Sequence, residues 1–415
     1  MIAADPARPG PWPLFAVHGV EIEYMIVDRV TLDVRPWADR LLRDASGVVD
    51  EVPRGAVTWC NELAAHLVEL KCEPPVADLG ALLPTFIAEI GEINRRLAAD
   101  GAFLMPSSMH PWMDPVREMV LWPGGFGEVY AAYDRIFSCR GHGWANLQSV
   151  QLNLPFNGDR EFGRLHAALR LLLPLLNALA ASSPYAGGRA TGYRSYRMEV
   201  YRHNADRVPM VAGDVVPEPI DSIAAYRRRI LEPMYAALAP LDPAGVLAEE
   251  WLNSRGALPR FSRQSIEVRT LDSQECATAD FAILAAVTAL ARALVEERWC
   301  TLAQQQSVAQ TMLVTLFRQV LRGAETTPLA AAPWRRLLDL PRPPATAGNL
   351  WAMVLDRLVG EGLLPAFAEK TLERILRCGT LATRLIAAAG DHPDHETLHR
   401  VYAALADCLA ADRMF

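Results

Sequence analysis

The chain has 415 residues, of which 51% are hydrophobic and 21% are charged, and its formal net charge is −7. This length predicts one large domain or two intimately packed ones, with ample apolar material for a core. The acidic balance argues against wholesale nucleic-acid binding, which needs a basic face to displace counterions.

Seven cysteines are scattered along the chain without a CxxC spacing. An odd number leaves at least one unpaired in a monomer, and we interpret them as free thiols in a reducing compartment. The N-terminus shows no apolar signal-peptide core. The most apolar stretches, Leu169 to Ala181 and Phe281 to Ala291, are too short to span a bilayer and predict buried helices. We therefore expect a cytoplasmic protein with no membrane partner.

The predicted elements follow a Pro-rich segment, residues 1–14, that we expect to be irregular. Periodicity and capping residues then predict, in chain order, a strand at Phe15 to Val27, a strand near Ala65 to Lys71, a helix from Asp78 to about Ala99, a helix around Glu128 to Ser138, a strand at Leu147 to Leu154, a helix at Arg160 to Ala181, a Gly- and Ser-rich loop at Ser182 to Gly192, and a strand at Tyr193 to Tyr201.

The second half of the chain is predicted to be mainly helical. The expected elements are a helix beginning near Asp221, a strand at Gln264 to Leu271, helices at Ala279 to Trp299 and Leu302 to Leu321, a Pro-rich connector between Thr327 and Pro344, and helices from Asn349 to the end.

Non-consecutive strands with helices inserted between them indicate an α+β fold. We divide the chain into the irregular segment 1–14, a core at 15–300 and a helical segment at 301–415 packed on that core. Whether the helical segment also caps a site or forms the contact of a homo-oligomer stays open.

Four predicted strands carry polar residues at i and i+2, which project from the same face. The pairs are Glu21 and Glu23, Glu69 and Lys71, Gln151 and Asn153, and Glu267 and Arg269. For any one strand, the solvent face of an antiparallel sheet explains this alternation. Together the strands favour function, because adjacent glutamates repel unless a cation lies between them. Mg²⁺ takes such oxygen ligands and bridges them to phosphate oxygens.

Five segments, in order between about residues 15 and 300, resemble the glutamate–cysteine ligase type 2 and carboxylate–amine ligase family. They are Gly19-Val20-Glu21-Ile22-Glu23-Tyr24, Asn61-Glu62-Leu63 through Val68-Glu69-Leu70, Ser107 to Pro111 with His110-Pro111, Ala181-Ser182-Ser183-Pro184-Tyr185 followed by Gly188-Arg189, and Ile266-Glu267-Val268-Arg269 with Asp272.

The resemblance implies a glutamine-synthetase-like fold, in which an antiparallel sheet curves around ATP and metal ions. It also implies a reaction in which ATP phosphorylates a substrate carboxylate and an amine then displaces phosphate to leave an amide. Glutamate and cysteine are the first substrate pair to test. Such chemistry asks the protein for positioning and charge neutralisation.

The resemblance also implies roles for individual residues. Glu21, Glu23, Glu69 and Glu267 would be Mg²⁺ ligands. Glu267, Arg269 and Arg197 would be catalytic, with the arginines on a phosphoryl group or a substrate carboxylate. We assign ATP contacts to Gln151, Asn153 and Arg202, and a loop that excludes water to Ser182 to Gly192.

One position departs from the family pattern, since Gln151 stands where the family usually has histidine. A glutamine carbonyl is still an oxygen ligand, so Mg²⁺ binding need not fail. The change puts the identity of the substrate in question.

Other motifs are interpreted as structural. His392, His395 and His399 lack the further ligands that structural zinc requires. Gly124-Gly125-Phe126-Gly127 lacks the spacing of a dinucleotide fingerprint and predicts a turn. The sequence contains no GxxxxGK[ST] or GxSxG motif, so ATP would not be held by a P-loop.

Two alternatives to a ligase stay open. One is a phosphotransferase of the same fold that phosphorylates a small metabolite without ligation. The other is a non-catalytic nucleotide-binding protein, which Gln151 suggests. We rank the second lowest, because a decayed site would be free to lose its carboxylates.

Overall fold

The computed structural model describes residues 11–415, apart from the side chains of residues 331 and 332. The predicted irregular segment therefore lies mostly outside the described residues. The strands are β1 (Gly19–Asp28), β2 (Arg43–Asp44), β3 (Gly47–Val48), β4 (Glu51–Pro53), β5 (Val57–Asn61), β6 (Leu67–Cys72), β7 (Ala102–Met105), β8 (Ser149–Pro155), β9 (Tyr185–Ala186), β10 (Arg189–Ala190), β11 (Ala257–Arg260) and β12 (Ser265–Asp272).

The α-helices lie between and after these strands. They are α1 (Ala38–Leu41), α2 (Leu79–Leu97), α3 (Pro115–Glu118), α4 (Gly127–Phe137), α5 (His142–Ala145), α6 (Gly158–Leu172), α7 (Asn177–Ala180), α8 (Tyr196–Tyr201), α9 (Ile223–Tyr226), α10 (Glu232–Leu238), α11 (Ala277–Val295), α12 (Leu302–Gln306), α13 (Gln310–Gly323), α14 (Ala331–Leu337), α15 (Ala347–Gly360), α16 (Ala366–Cys378), α17 (Leu381–Ala389) and α18 (His395–Ala410).

The main sheet is antiparallel and has the strand order β11-β12-β8-β1-β6-β5-β4, with β7 also paired to β1. Its helices are inserted between the strands, as the α+β prediction required, and the prediction is confirmed. Strands β1, β6, β8 and β12 coincide with the predicted strands to within a few residues.

One face of this sheet is apolar and fully buried. Val20, Ile22, Val68, Leu152 and Ile266 lie on it, each with no exposed surface. Helix α11 lies in the core on this side and packs against α2, α6 and α16. Phe281 of α11 meets Phe86 of α2 edge to face, with ring centroids 5.1 Å apart. The apolar face thus anchors the sheet while leaving the other face free for polar residues.

Helix α11 is mostly apolar and is buried along almost its whole length, with Thr278 and Arg292 partly exposed. Within the described residues it is the helix long and apolar enough, by length and composition alone, to cross a membrane, and 89% of that window is buried inside the protein. A helix in a protein core passes the same test. The predicted buried helix at this position is confirmed.

The opposite sheet face changes character along β1. Glu21 and Glu23 are followed on the same side by Met25 and Val27, which join a second hydrophobic cluster with residues of α18. Met25 lies opposite Leu67 and Met105 in the sheet. The polar part of this face therefore ends against an apolar wall.

Several predicted elements are wrong in detail. The segment Tyr193 to Tyr201 was predicted as a strand, but it contains helix α8. Its entrance is fixed by tertiary contacts, since the backbone N–H groups of Tyr196 and Arg197 donate to Ser183. The helix predicted at Arg160 to Ala181 is interrupted. Helix α6 ends first, and a 3₁₀ turn that contains Pro174 follows it.

The region after Leu302 is helical but more interrupted than predicted. The helix predicted at Leu302 to Leu321 is divided into α12 and α13, and the Pro-rich connector contains the short helix α14. Strands β5, β7 and β11 were not predicted.

A buried histidine gives the fold a predicted acid response. His166 of α6 lies between Phe162 and Tyr226, and burial lowers its pKa to about 4. Between pH 6.5 and 4 the unfolded chain binds a proton that the folded chain does not, so the unfolding free energy falls as the pH falls.

We expect His166→Leu to weaken this acid response. From pH 7 to 4.5 the variant should lose about 2–3 kcal/mol less unfolding free energy than the wild type. Denaturant unfolding at both pH values measures the difference. Equal losses in the two proteins would contradict the prediction.

Candidate active site

The polar part of the sheet face is built by strand register. Across β1 and β6, Glu23 lies opposite Glu69 and Glu21 opposite Lys71. Across β1 and β8, Glu21 lies opposite Gln151, and across β8 and β12, Asn153 lies opposite Glu267. Residues directly opposite one another in antiparallel strands share a face. The four predicted carboxylates therefore lie on one surface.

Three carboxylates form a cluster at the centre of this surface. Glu23, Glu62 and Glu69 each offer an oxygen, and these oxygens all lie within 4.8 Å of one another. Glu62 lies in the bend between β5 and β6, so it reaches the cluster from outside the strands. Within residues 11–415, no other group of His, Cys, Asp and Glu side chains meets the same criterion.

The electrostatics of the cluster are those of like charges held together. Burial raises the pKa of Glu69 well above its usual range, and the charges of Glu21, Glu62 and Glu23 raise it further. Burial and the charges of Glu23 and Glu21 raise the pKa of Glu62 to about 8. A cation among these oxygens would remove the repulsion, and an all-oxygen donor set fits Mg²⁺.

Glu23 is the best-anchored member of the cluster. Its carboxylate accepts hydrogen bonds from the Ser149 N–H at 2.9 Å, the Ser149 hydroxyl at 2.8 Å and Gln151 Nε2 at 2.9 Å. Burial raises its pKa, opposed by the charge of Arg197 and by these hydrogen bonds. Gln151 thus orients a cluster carboxylate through its amide nitrogen, which leaves its carbonyl oxygen outside this bond.

Arginines define the other end of the polar surface. The Glu267 carboxylate accepts from Arg260 at 2.9 Å and from Arg269 at 2.9 and 2.6 Å. Burial would raise the pKa of Glu267, but the charges of Arg269 and Arg260 outweigh it and the pKa is lowered. Glu267 is therefore an ionised carboxylate with two guanidinium partners, whereas Glu62 and Glu69 face other carboxylates.

The predicted catalytic residue Arg197 is buried beneath the surface. Its guanidinium donates to Asp272 at 3.3 Å and to the Arg269 backbone carbonyl at 2.8 Å. Asp272 also accepts from the Ser182 N–H and from the Ser183 and Ser195 hydroxyls. These contacts favour a positioning role for Arg197, and its direct contact with substrate stays a prediction.

The remaining predicted residues separate into two groups. Asn153 Nδ2 donates to Glu21 Oε1 at 3.0 Å, which places it on the polar surface with Gln151. Arg202 instead contacts Glu199 and His203 beside α8. The proposed ATP contact of Arg202 therefore lacks support from the geometry.

The loop predicted to exclude water is only partly free to move. Ser182 to Ala186 are buried, and the Tyr185 hydroxyl donates to the Gly390 carbonyl at 2.6 Å. The turn between β9 and β10, with Gly187 and Gly188, is the more exposed part. The other loop that resembles the family, Ser107 to Pro111, is fixed through His110, whose Nε2 lies 2.8 Å from the Leu32 carbonyl.

Sequence reasoning did not assign Glu62 and Arg260 to the site. Glu62 lies in one of the segments that resemble the family, but it does not lie on a predicted strand. The alternation of polar and apolar residues therefore did not indicate it. Arg260 ends β11, a strand that was not predicted, and its register opposite Ser265 brings it beside Glu267.

Comparisons with known proteins identify a matching family and related sequences. The family model described as glutamate-cysteine ligase family 2 matches residues 17–335. An uncharacterized protein of Archaeoglobus fulgidus is 37% identical over 280 residues, which cover 67% of this chain and 75% of that protein. A Salinispora arenicola protein provisionally named glutamate–cysteine ligase 2 is 29% identical over 293 residues, which cover 70% of this chain and 68% of that protein.

A solved structure shares the fold. The glutamate–cysteine ligase of Francisella tularensis in complex with AMP superposes with a TM-score of 0.58 over 94% of this chain and 88% of that chain, at 12% identity. The predicted glutamine-synthetase-like architecture is confirmed at the level of fold.

The carboxylate cluster predicts an unusual response to Glu69→Gln. Without a cation, the raised pKa of Glu69 costs folding free energy, because the unfolded chain ionises this carboxyl freely and the folded chain does not. Glutamine carries no such cost, so in EDTA we expect the variant to be more stable than the wild type by on the order of 1 kcal/mol. Addition of Mg²⁺ should raise the melting temperature of the wild type, because a ligand that binds only the folded state stabilises it. The variant should lose most of that rise.

Calorimetry with and without Mg²⁺ measures both effects, with the exposed Glu232→Gln as the matched control. A Glu69→Gln protein that is destabilised in EDTA and keeps the full Mg²⁺ response would rule out this description of the cluster.

Proposed function

The chain belongs to glutamate–cysteine ligase family 2, and from this premise we propose that it is an ATP- and Mg²⁺-dependent carboxylate–amine ligase. The reaction would proceed through an acyl phosphate and end in an amide. The observation that carries the proposal is the division of one sheet face into a carboxylate cluster and an arginine pair. Phosphoryl transfer requires both a divalent cation and fixed positive charge around the transferring group.

The two ends of the surface have complementary tasks in this scheme. Glu23, Glu62 and Glu69 would hold Mg²⁺, which when bound supplies neutralisation of the phosphate oxygens. Arg269 is charged under all ordinary conditions, since the Glu267 carboxylate outweighs burial and raises its pKa. We assign the transferring phosphoryl group to Arg269, with Arg260 and Glu267 keeping its guanidinium in place.

The proposed reaction has two steps. A substrate carboxylate oxygen attacks the γ-phosphorus of ATP, and the bond to the β–γ bridging oxygen breaks to release ADP. The amine nitrogen then attacks the acyl carbon, loses a proton and expels inorganic phosphate. The acyl phosphate must be kept from water between the steps, and the turn with Gly187 and Gly188 is the candidate that would do so.

Family membership and the AMP bound to the Francisella tularensis ligase support a nucleotide as co-substrate. Amino acids are the proposed substrates, with glutamate as carboxylate donor and cysteine as amine acceptor tested first. A cytoplasmic site of action is part of the proposal.

The leading test is release of ADP from ATP. We expect release to require Mg²⁺, a carboxylate and an amine together, across a panel of amino acids. Formation of ADP with one co-substrate and a stable phosphorylated product would favour the phosphotransferase. ATP binding without turnover on any substrate pair would favour the non-catalytic alternative.

A substitution in the arginine pair tests the assignment of residues. Arg269→Gln should lower kcat by at least about 100-fold, because a preorganised charge at the transferring group is lost. Its Mg²⁺ response in calorimetry should remain. The exposed Arg228→Gln serves as control. Near-normal turnover in Arg269→Gln would remove that residue from the proposed site.

A further inference from the structure

The bend that carries Glu62 is held on both sides by backbone hydrogen bonds. Before it, the Asn61 N–H donates to the Asp50 carbonyl at 3.0 Å. After it, the Trp122 N–H donates to the Leu63 carbonyl at 3.0 Å. Glu62 itself lies outside the regular strands, so its orientation depends on these flanking segments.

The Asp50 side chain ties the two flanking segments together. Its Oδ1 accepts from the Trp122 indole at 2.7 Å and from the Gly125 N–H at 2.9 Å. A Cβ atom at Gly124 would overlap both the Trp122 indole nitrogen and the Asp50 carboxylate, and one at Gly125 would overlap the carboxylate. The glycine-rich turn predicted from the sequence is therefore a place where the backbone closes tightly on Asp50.

Helix α4 begins directly after this turn and brings Tyr130 to the same bend. Asn61 Nδ2 donates to the Tyr130 hydroxyl oxygen at 2.8 Å. A phenol hydroxyl can accept from Asn61 and donate to another group at the same time. One network thus runs from Asp50 through the turn and α4 back to the residue that precedes Glu62.

We propose that Asp50 and Tyr130 are positioning residues for Glu62 and thereby set the affinity of the carboxylate cluster for a divalent cation. The inference rests on the proposed function in that it takes Glu62 as a cation ligand. Groups that orient a ligand side chain from behind typically change metal affinity by about 10- to 100-fold when removed. Asp50 holds the bend through two segments, and Tyr130 holds it through Asn61.

The test is binding of Mn²⁺ alone to the full chain without nucleotide, followed by electron paramagnetic resonance. Glu62→Gln, Asp50→Ala and Tyr130→Phe should each weaken binding by at least about 10-fold. Asp50→Asn keeps the acceptor oxygen that serves both Trp122 and Gly125, so it should restore affinity to within about twofold. A merely structural role would not give this rescue in protein whose circular dichroism is native.

The matched control is Tyr235→Phe on α10, whose hydroxyl lies among Glu250, Glu249 and Arg227 instead of the cluster. It should bind Mn²⁺ as the wild type does. Wild-type affinity in Tyr130→Phe and Asp50→Ala, or equal losses in Asp50→Asn and Asp50→Ala, would overturn the inference. So would a wild type that binds no Mn²⁺. If the variants behave as expected but no substrate pair releases ADP, the proposed ligase reaction fails while the positioning role stands.

Discussion

Repulsion among carboxylates on a buried sheet face is the constraint around which this structure is arranged. One carboxylate oxygen each of Glu23, Glu62 and Glu69 lies within 4.8 Å of the other two, and burial adds to the free energy of keeping these groups charged. The apolar face of the same strands offsets this cost, since β1, β6 and β8 pack their alternate residues against the largely buried helix α11 and its neighbours. A cluster of carboxylates in an otherwise apolar and consistently packed fold is expected at a functional site.

The same face also carries positively charged arginines, which lie at the other end of the polar surface from the carboxylate cluster. The carboxylate cluster lies where β1 and β6 meet, and Arg260 and Arg269 lie on β11 and β12 around Glu267. Strand β8 runs between these regions and contributes the amides of Gln151 and Asn153, which bind Glu23 and Glu21. Gln151 therefore fills the family histidine's place with a neutral donor to a cluster carboxylate. This contact is compatible with a metal site. The departure from the family pattern therefore concerns the identity of the substrate.

Alternation along the strands was enough to predict the sheet face but not the whole site. Strands β1, β6, β8 and β12 alternate cleanly because one face is core and the other is polar, so Glu21, Glu23, Glu69 and Glu267 were found from spacing alone. Strand β5 is buried on both faces and shows no such signal, and with it the bend that carries Glu62 was missed. The strand prediction at Tyr193 to Tyr201 missed helix α8, because Ser183 and Asp272 fix the entrance of this helix and contacts so distant in sequence leave no local pattern. Arg197 was found by resemblance, yet its burial against Asp272 appears only in three dimensions.

In the proposed reaction, the carboxylate of one substrate is activated by direct attack on ATP. Isotope transfer tests it most directly: the reaction is run with a carboxylate donor labelled with ¹⁸O on both carboxyl oxygens, and the phosphate released is analysed by mass spectrometry. An acyl phosphate passes one carboxyl oxygen to phosphorus, so we expect one ¹⁸O atom in the phosphate for each amide formed. Amide formation with unlabelled phosphate would contradict it.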